Sequence, residues 1–117
     1  MTRDEFNSFC ASLPTTTHVV QWGNSDVWKV GGKVFAITSV RGGADTYTFK
    51  ASEMAFEILS DAPGIMPAPY LASRGLKWLC CFGEPGLSDD SLRDHVCASY
   101  DMVVAKLTRK KRAELGL

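Results

Sequence analysis

Pro63-Gly64-Ile65-Met66-Pro67-Ala68-Pro69-Tyr70 decides how the rest of this chain must be arranged. Three prolines and a glycine within residues 63–69 exclude a helix and a central strand, because proline lacks the N–H that both ladders need. Ile65, Met66 and Tyr70 make the stretch too apolar for a solvated linker. It reads as an ordered crossing packed on the core, with Tyr70 largely buried and a turn of helix over Ala68 to Ser73. The crossing divides the chain into two halves.

Upstream, Thr2 and Glu5 form a capping box. Phe6, Phe9, Cys10 and Leu13 recur at helical spacing behind it, and Pro14 ends the helix. Four strand-like segments follow: Thr17 to Trp22, Asp26 to Val30, Lys33 to Val40 and Asp45 to Lys50. Gly23-Asn24, Gly31-Gly32 and Arg41-Gly42-Gly43-Ala44 are the turns between them. A two-residue turn at Gly31-Gly32 sets Val30 opposite Lys33, Trp28 opposite Phe35 and Asp26 opposite Ile37. Trp28, Phe35 and Ile37 then share the core face with Tyr47 and Phe49, because same-face residues recur every second position. Lys29, Val34, Ala36 and Thr38, with Thr46, Thr48 and Lys50, fall on the wet face.

Ser52 caps a short helix carrying Met54, Ala55, Phe56, Ile58 and Leu59. Beyond the proline crossing, Leu76 to Phe82 reads as a fifth strand and Gly83 to Gly86 as its end. A long last helix starts at Ser88 or Asp89 and runs through Leu92, Val96, Tyr100, Val103 and Leu107 into the basic run Arg109 to Arg112. The fold class is α+β: an antiparallel five-stranded sheet with helices packed on one face. Trp28, Phe35, Phe49, Phe56, Trp78, Val96 and Val103 are expected in one core.

The chain has 117 residues, 45% hydrophobic and 22% charged, which suits a single domain over residues 1–117. Thirteen basic residues balance thirteen acidic ones. A neutral chain gets no global attraction to phosphate or anionic lipid, so such binding requires a local patch. No uncharged run suits a bilayer span, and no signal-peptide core follows the acidic N-terminus. A cytoplasmic location without membrane contact is expected. Cys10, Cys80, Cys81 and Cys97 lack disulfide-framework or Cys-x-x-Cys spacing and read as reduced, small apolar residues.

No nucleophile or phosphate-loop motif is present. His18 and His95 lack partners at metal-ligand spacing. Asp89-Asp90 is explained by helix capping, and Glu53 with Glu57 by a solvated helix face. Neither a catalytic set nor a metal or cofactor site is expected. The strongest binding signal is charge segregation: Lys106, Arg109, Lys110, Lys111 and Arg112 cluster at one end, while Asp89, Asp90, Asp94 and Asp101 lie upstream on the same helix. The competing explanation is that terminal cations complement the helix dipole.

Four segments and one tryptophan carry a resemblance: Trp28 to Ala36, Phe49 to Phe56, Pro63 to Leu71, Trp78, and Ser99-Tyr100 with Val103 to Leu107. In this order the chain resembles the MmcQ/YjbR family of small bacterial proteins. The resemblance spans nearly the whole chain and implies a compact sheet-and-helix fold, similar to frataxin-like and secretion-chaperone-like architectures. It also implies DNA binding, with β-hairpins as paired wings, and brings no catalytic residues. Lys29, Lys33, Lys50 and Lys106 correspond by position. The expected function is a non-enzymatic, monomeric module whose partner is double-stranded DNA. Its phosphates would meet Lys29, Lys33, Arg41 and Lys50 on the hairpins and Lys106, Arg109, Lys110, Lys111 and Arg112 at the helix end. The alternatives are a protein or peptide partner on the sheet, and a small-molecule groove near Trp28, Tyr70, Trp78 and His95.

Overall fold

The computed structural model describes residues 1–69, 71 and 75–117. The element order is α1 (Arg3–Ser12), β1 (Thr16–Gln21), β2 (Ser25–Val30), β3 (Lys33–Arg41), β4 (Ala44–Lys50), α2 (Glu53–Leu59), β5 (Ile65–Pro67), β6 (Trp78–Cys81), α3 (Asp89–Lys106) and α4 (Arg109–Leu115). The six strands form one sheet in the order β1-β2-β3-β4-β6-β5, every neighbour antiparallel.

The sheet therefore has six strands where the sequence suggested five. The additional strand is part of the proline crossing itself: Ile65–Pro67 pairs with β6 at the sheet edge. An edge strand needs hydrogen bonds on one side only, so proline is tolerated there. Gly64 makes the approach possible. Its φ is +82°, and a Cβ there would lie 2.3 Å from the Gly83 carbonyl oxygen. That close contact lets the Gly64 carbonyl accept from the Phe82 N–H at 2.9 Å. Of the helical turn expected over Ala68 to Ser73, Ala68, Pro69 and Leu71 are not helical, while Tyr70, Ala72 and Ser73 lie outside the described residues.

The helix starts follow local chemistry. Thr2 and Glu5 form the capping box, and Ser52 and Ser88 cap α2 and α3 through their hydroxyls. The last helix is not continuous. α3 stops at Leu107, a buried residue, and Thr108 caps a separate α4.

The β2–β3 register also departs from the two-residue-turn expectation. Val30 faces Lys33, but Trp28 faces Ala36 and Asp26 faces Thr38, with a register shift between Trp28 and Lys29. Phe35 is the extra residue of this β-bulge. Phe35 and Ala36 both join the helix-side core with Trp28, Phe49, Val96 and Val103. Ile37 is turned to the opposite face, where it lines a cavity with Val34. Ala36 and Thr38 are buried instead of on the wet face. Phe56 is half-buried against the main core, while Trp78 belongs to a second small cluster with Ala68 and Cys80.

Buried Ser99 of α3 stabilises the bulge. Its hydroxyl donates to the Phe35 carbonyl at 2.7 Å and accepts from the Lys50 N–H at 2.9 Å. The β3–β4 pairing places Ala36 opposite Phe49, so residues 35 and 50 come next along the ladder. The serine hydroxyl stands between their backbone groups and satisfies both.

Candidate functional site

Three of the expected cations converge at one corner of the molecule. Lys33 begins β3, Lys50 ends β4 and Lys106 ends α3. Together they line a cavity of about 310 Å³ with Val34, Trp78, Val103 and Leu107. The corner is built by the tight Gly31-Gly32 turn. Gly31 has φ +59°, and a Cβ there would stand 2.6 Å from Leu107 Cδ1. The hairpin thus packs directly on the end of α3 and brings Lys33 toward Lys106. Ser99 fixes the Lys50 backbone against the same helix.

Among the described residues, no carboxylate lines this cavity and no ion pair involves its lysines. Burial lowers the Lys50 pKa, and the neighbouring Lys106 lowers it further. The corner therefore concentrates positive charge around one half-buried lysine, Lys50, with Lys33 and Lys106 exposed beside it.

The remaining expected cations are distributed differently. Lys29 lies across from Val34 on the open face of the sheet. Arg41 lies at the far end of β3, in a separate cavity with Ser39, Thr46 and Thr48. Arg109, Lys110, Lys111 and Arg112 belong to α4, and its first turn carries no acid. Cations in a first turn oppose the helix dipole, so the dipole does not account for Arg109 and Lys110.

The aromatic groove expected around Trp28, Tyr70, Trp78 and His95 is corrected by the sheet faces. Trp28 is in the helix-side core and His95 stacks on Phe49 at 5.3 Å. Burial lowers the His95 pKa against the smaller opposing effect of Asp94. Trp78 lines a groove on the other face, of about 450 Å³, with Trp22, Val34, Ile37, Pro69 and Leu71. Tyr70 lies outside the described residues. Trp22 belongs to the β1–β2 turn, with φ +50° and 66% of its surface exposed.

A further cluster escaped the sequence reading. Arg3 Nε donates to Asp26 Oδ2 at 2.7 Å, Asn7 Nδ2 to the same oxygen at 3.0 Å, and His18 Nε2 lies 2.7 Å from Oδ1. Trp28 Nε1 donates to Asn7 Oδ1 at 2.8 Å, and the His18 ring packs on Trp28. The available signal was the β1–β2 hairpin, which sets His18 opposite Trp28. The network ties α1 to the sheet.

Burial alone would raise the Asp26 carboxyl. The hydrogen bonds from Asn7, His18 and Arg3, with the Arg3 charge, outweigh burial and hold it down at about 2. The folded value lies below the ordinary 3.8. This stabilisation is therefore fully present above about pH 4 and is lost as the pH falls toward 2. Asp26→Asn is expected to cost about 1–2 kcal/mol at neutral pH. Urea unfolding should show the gap between native protein and variant closing in acid; a gap constant with pH would contradict the assignment.

The four cysteines are unpaired thiols. Burial pushes Cys10 and Cys81 up to about 12. Among the described residues, no group of three or more His, Cys, Asp or Glu side chains is placed to hold a metal, and no helix is long and apolar enough to cross a membrane.

Against solved structures, the chain is similar to the Deinococcus radiodurans protein DR2400, which carries a domain designated DUF419. The match has 25% identity and a TM-score of 0.85, covering 99% of this chain and 88% of that one. A Pseudomonas syringae protein shares the fold at 18% identity and a TM-score of 0.70, with 88% of this chain and 99% of that chain covered. No match was found among curated proteins. The sequence model named YjbR matches residues 11–102, well over half of the chain, and the protein belongs to the YjbR family.

Proposed function

We propose that this YjbR-family protein is a non-enzymatic, monomeric, cytoplasmic module that binds double-stranded DNA through its phosphates. One observation carries the reading: Lys33, Lys50 and Lys106 share a groove that no carboxylate among the described residues lines. Such contacts position a duplex without reading its sequence. Lys29, across from Val34, and the cations of α4, the helix that follows Lys106 in the chain, are the further expected contacts; Arg41, at the far end of β3, is a separate one.

Three phosphates neutralised at the corner alone imply a log–log salt slope of about −3, which each further contact steepens by about one. Lys50→Gln with Lys106→Gln is expected to reduce its magnitude by about two, and charge reversal at Arg109 to Arg112 tests α4 separately. Fluorescence anisotropy with labelled duplex reads both. The absence of micromolar binding at about 50 mM salt, where screening is weak, rejects the proposal.

A second reading is favoured by α2. Met54 and Ile58 stand one turn apart with 71% and 66% of their surface exposed. That pair suits a protein or peptide partner with its own apolar anchors.

A further inference from the structure

The apolar groove and the lysine corner adjoin each other. Val34 and Trp78 line both cavities. On one side of this shared wall the groove is built from Trp22, Ile37, Pro69 and Leu71, side chains that offer an apolar body no competing charge. On the other side stand the ammonium groups of Lys33, Lys50 and Lys106. Trp22 is held over the groove by a left-handed backbone conformation that a bulky residue rarely adopts.

We infer that these two adjoining cavities together bind a small amphiphilic anion that spans Val34 and Trp78: an acyl or aromatic body against Trp22, Ile37 and Trp78, with a carboxylate or phosphate head on Lys50 and Lys106. Charge favours one orientation, because three lysines stand at this end while Arg41 is the one cation lining the described cavity that shares Trp22, Ile37, Pro69 and Leu71 with the groove on its other side. A nucleobase fits the body position poorly, since the wall gives almost no partners for its polar edge and those groups would be buried unpaired. An apolar tail loses nothing by entering such a wall and gains by leaving water. The inference shares two lysines with the DNA reading but does not depend on it.

Decanoate, decanol and inorganic phosphate separate the contributions of tail and head. Isothermal titration calorimetry, with tryptophan fluorescence as a second readout, is expected to show saturable one-to-one binding of decanoate. Decanol should bind about tenfold more weakly, because it lacks the charge-assisted contacts. Phosphate alone should bind weaker still. Lys50→Gln with Lys106→Gln should bring decanoate and decanol to equal affinity. Trp22→Ala, at an exposed position that tolerates truncation, should weaken both alike. Ile37→Trp, which fills the groove, should abolish both, with thermal unfolding checking that each variant is folded.

No saturable decanoate binding at millimolar concentration overturns the inference. So does equal affinity for decanoate and decanol on the native protein, or phosphate binding as tightly as decanoate. Duplex DNA titrated into the same preparations separates the two proposals. Decanoate binding without DNA binding leaves this inference standing and rejects the DNA reading; the reverse result does the opposite.

Discussion

Phe35→Ala is expected to lower the free energy of unfolding by about 3–5 kcal/mol, a large share of the roughly 5–15 kcal/mol that holds a domain of this kind folded. Phe35 is fully buried and meets Tyr100 edge-on at 5.4 Å. Its ring fills the helix-side core where β3 bulges toward α3. Truncation removes the buried ring and leaves a cavity that the bulged backbone and α3, joined through Ser99, resist collapsing. Ile37→Ala supplies the comparison. An unbulged strand would place both residues on the same buried face and make the two losses similar. The bulge turns Ile37 to the opposite face, where it is half-buried, so its truncation should cost only about 1–2 kcal/mol. Equal losses in urea unfolding would contradict the bulge. A Phe35→Ala loss below roughly 1 kcal/mol would invert the assignment of the sheet faces.

That comparison marks where local sequence stops being informative. The helix caps, the glycine turns and the placement of Tyr47 and Phe49 all follow from residues close together in the chain. The bulge does not. It depends on a serine 64 residues away from Phe35, and nothing in Val34-Phe35-Ala36 signals an extra residue. One extra residue shifts everything after Phe35, so alternation fails together at Ala36, Ile37 and Thr38 while Val34 and Phe35 keep their expected faces. The proline crossing failed for a related reason. Composition correctly excluded a central strand, but whether Ile65–Pro67 pairs at an edge depends on Gly64 meeting Gly83, a contact between distant segments.

The candidate site was legible residue by residue and illegible as a place. Lys33 and Lys50 stand out in the hairpin segments, and Lys106 in the charge pattern of the last helix. Their convergence requires Gly31 to pack on Leu107, which the sequence presents only as two unrelated positions. The break at Leu107-Thr108 did have a signal: a buried leucine followed by a good capping residue. The basic residues that follow obscured it, because Lys and Arg continue a helix as readily as they begin one. The sequence alone makes Trp22 the last residue of a strand; its turn conformation, with φ +50°, depends on backbone angles that the local residues do not signal.

Ser99→Ala is the second large effect, expected to cost about 2–4 kcal/mol although it removes a single oxygen atom. The hydroxyl serves two backbone groups, the Phe35 carbonyl and the Lys50 N–H, and Ser99 is fully buried. Alanine leaves both groups without their partner at a site that solvent does not reach, and an unsatisfied buried group costs about 1–3 kcal/mol. If β3 and β4 closed the gap by bonding directly, the bulge would have to straighten and Phe35 would leave its pocket, so relaxation cannot recover the loss cheaply. Ser8→Ala, on the exposed face of α1, is the control and should stay within about 0.5 kcal/mol of the native protein. Lys50 ends the strand that Ser99 anchors, so Ser99→Ala should also loosen the lysine corner. Its protection is readable as faster amide exchange at Lys50, well beyond the change at Val40 on the far end of β3. A loss below about 1 kcal/mol with unchanged exchange at Lys50 would mean that the hydroxyl bridge does not hold the bulge, and that the corner is positioned by the packing of Gly31 on Leu107 alone.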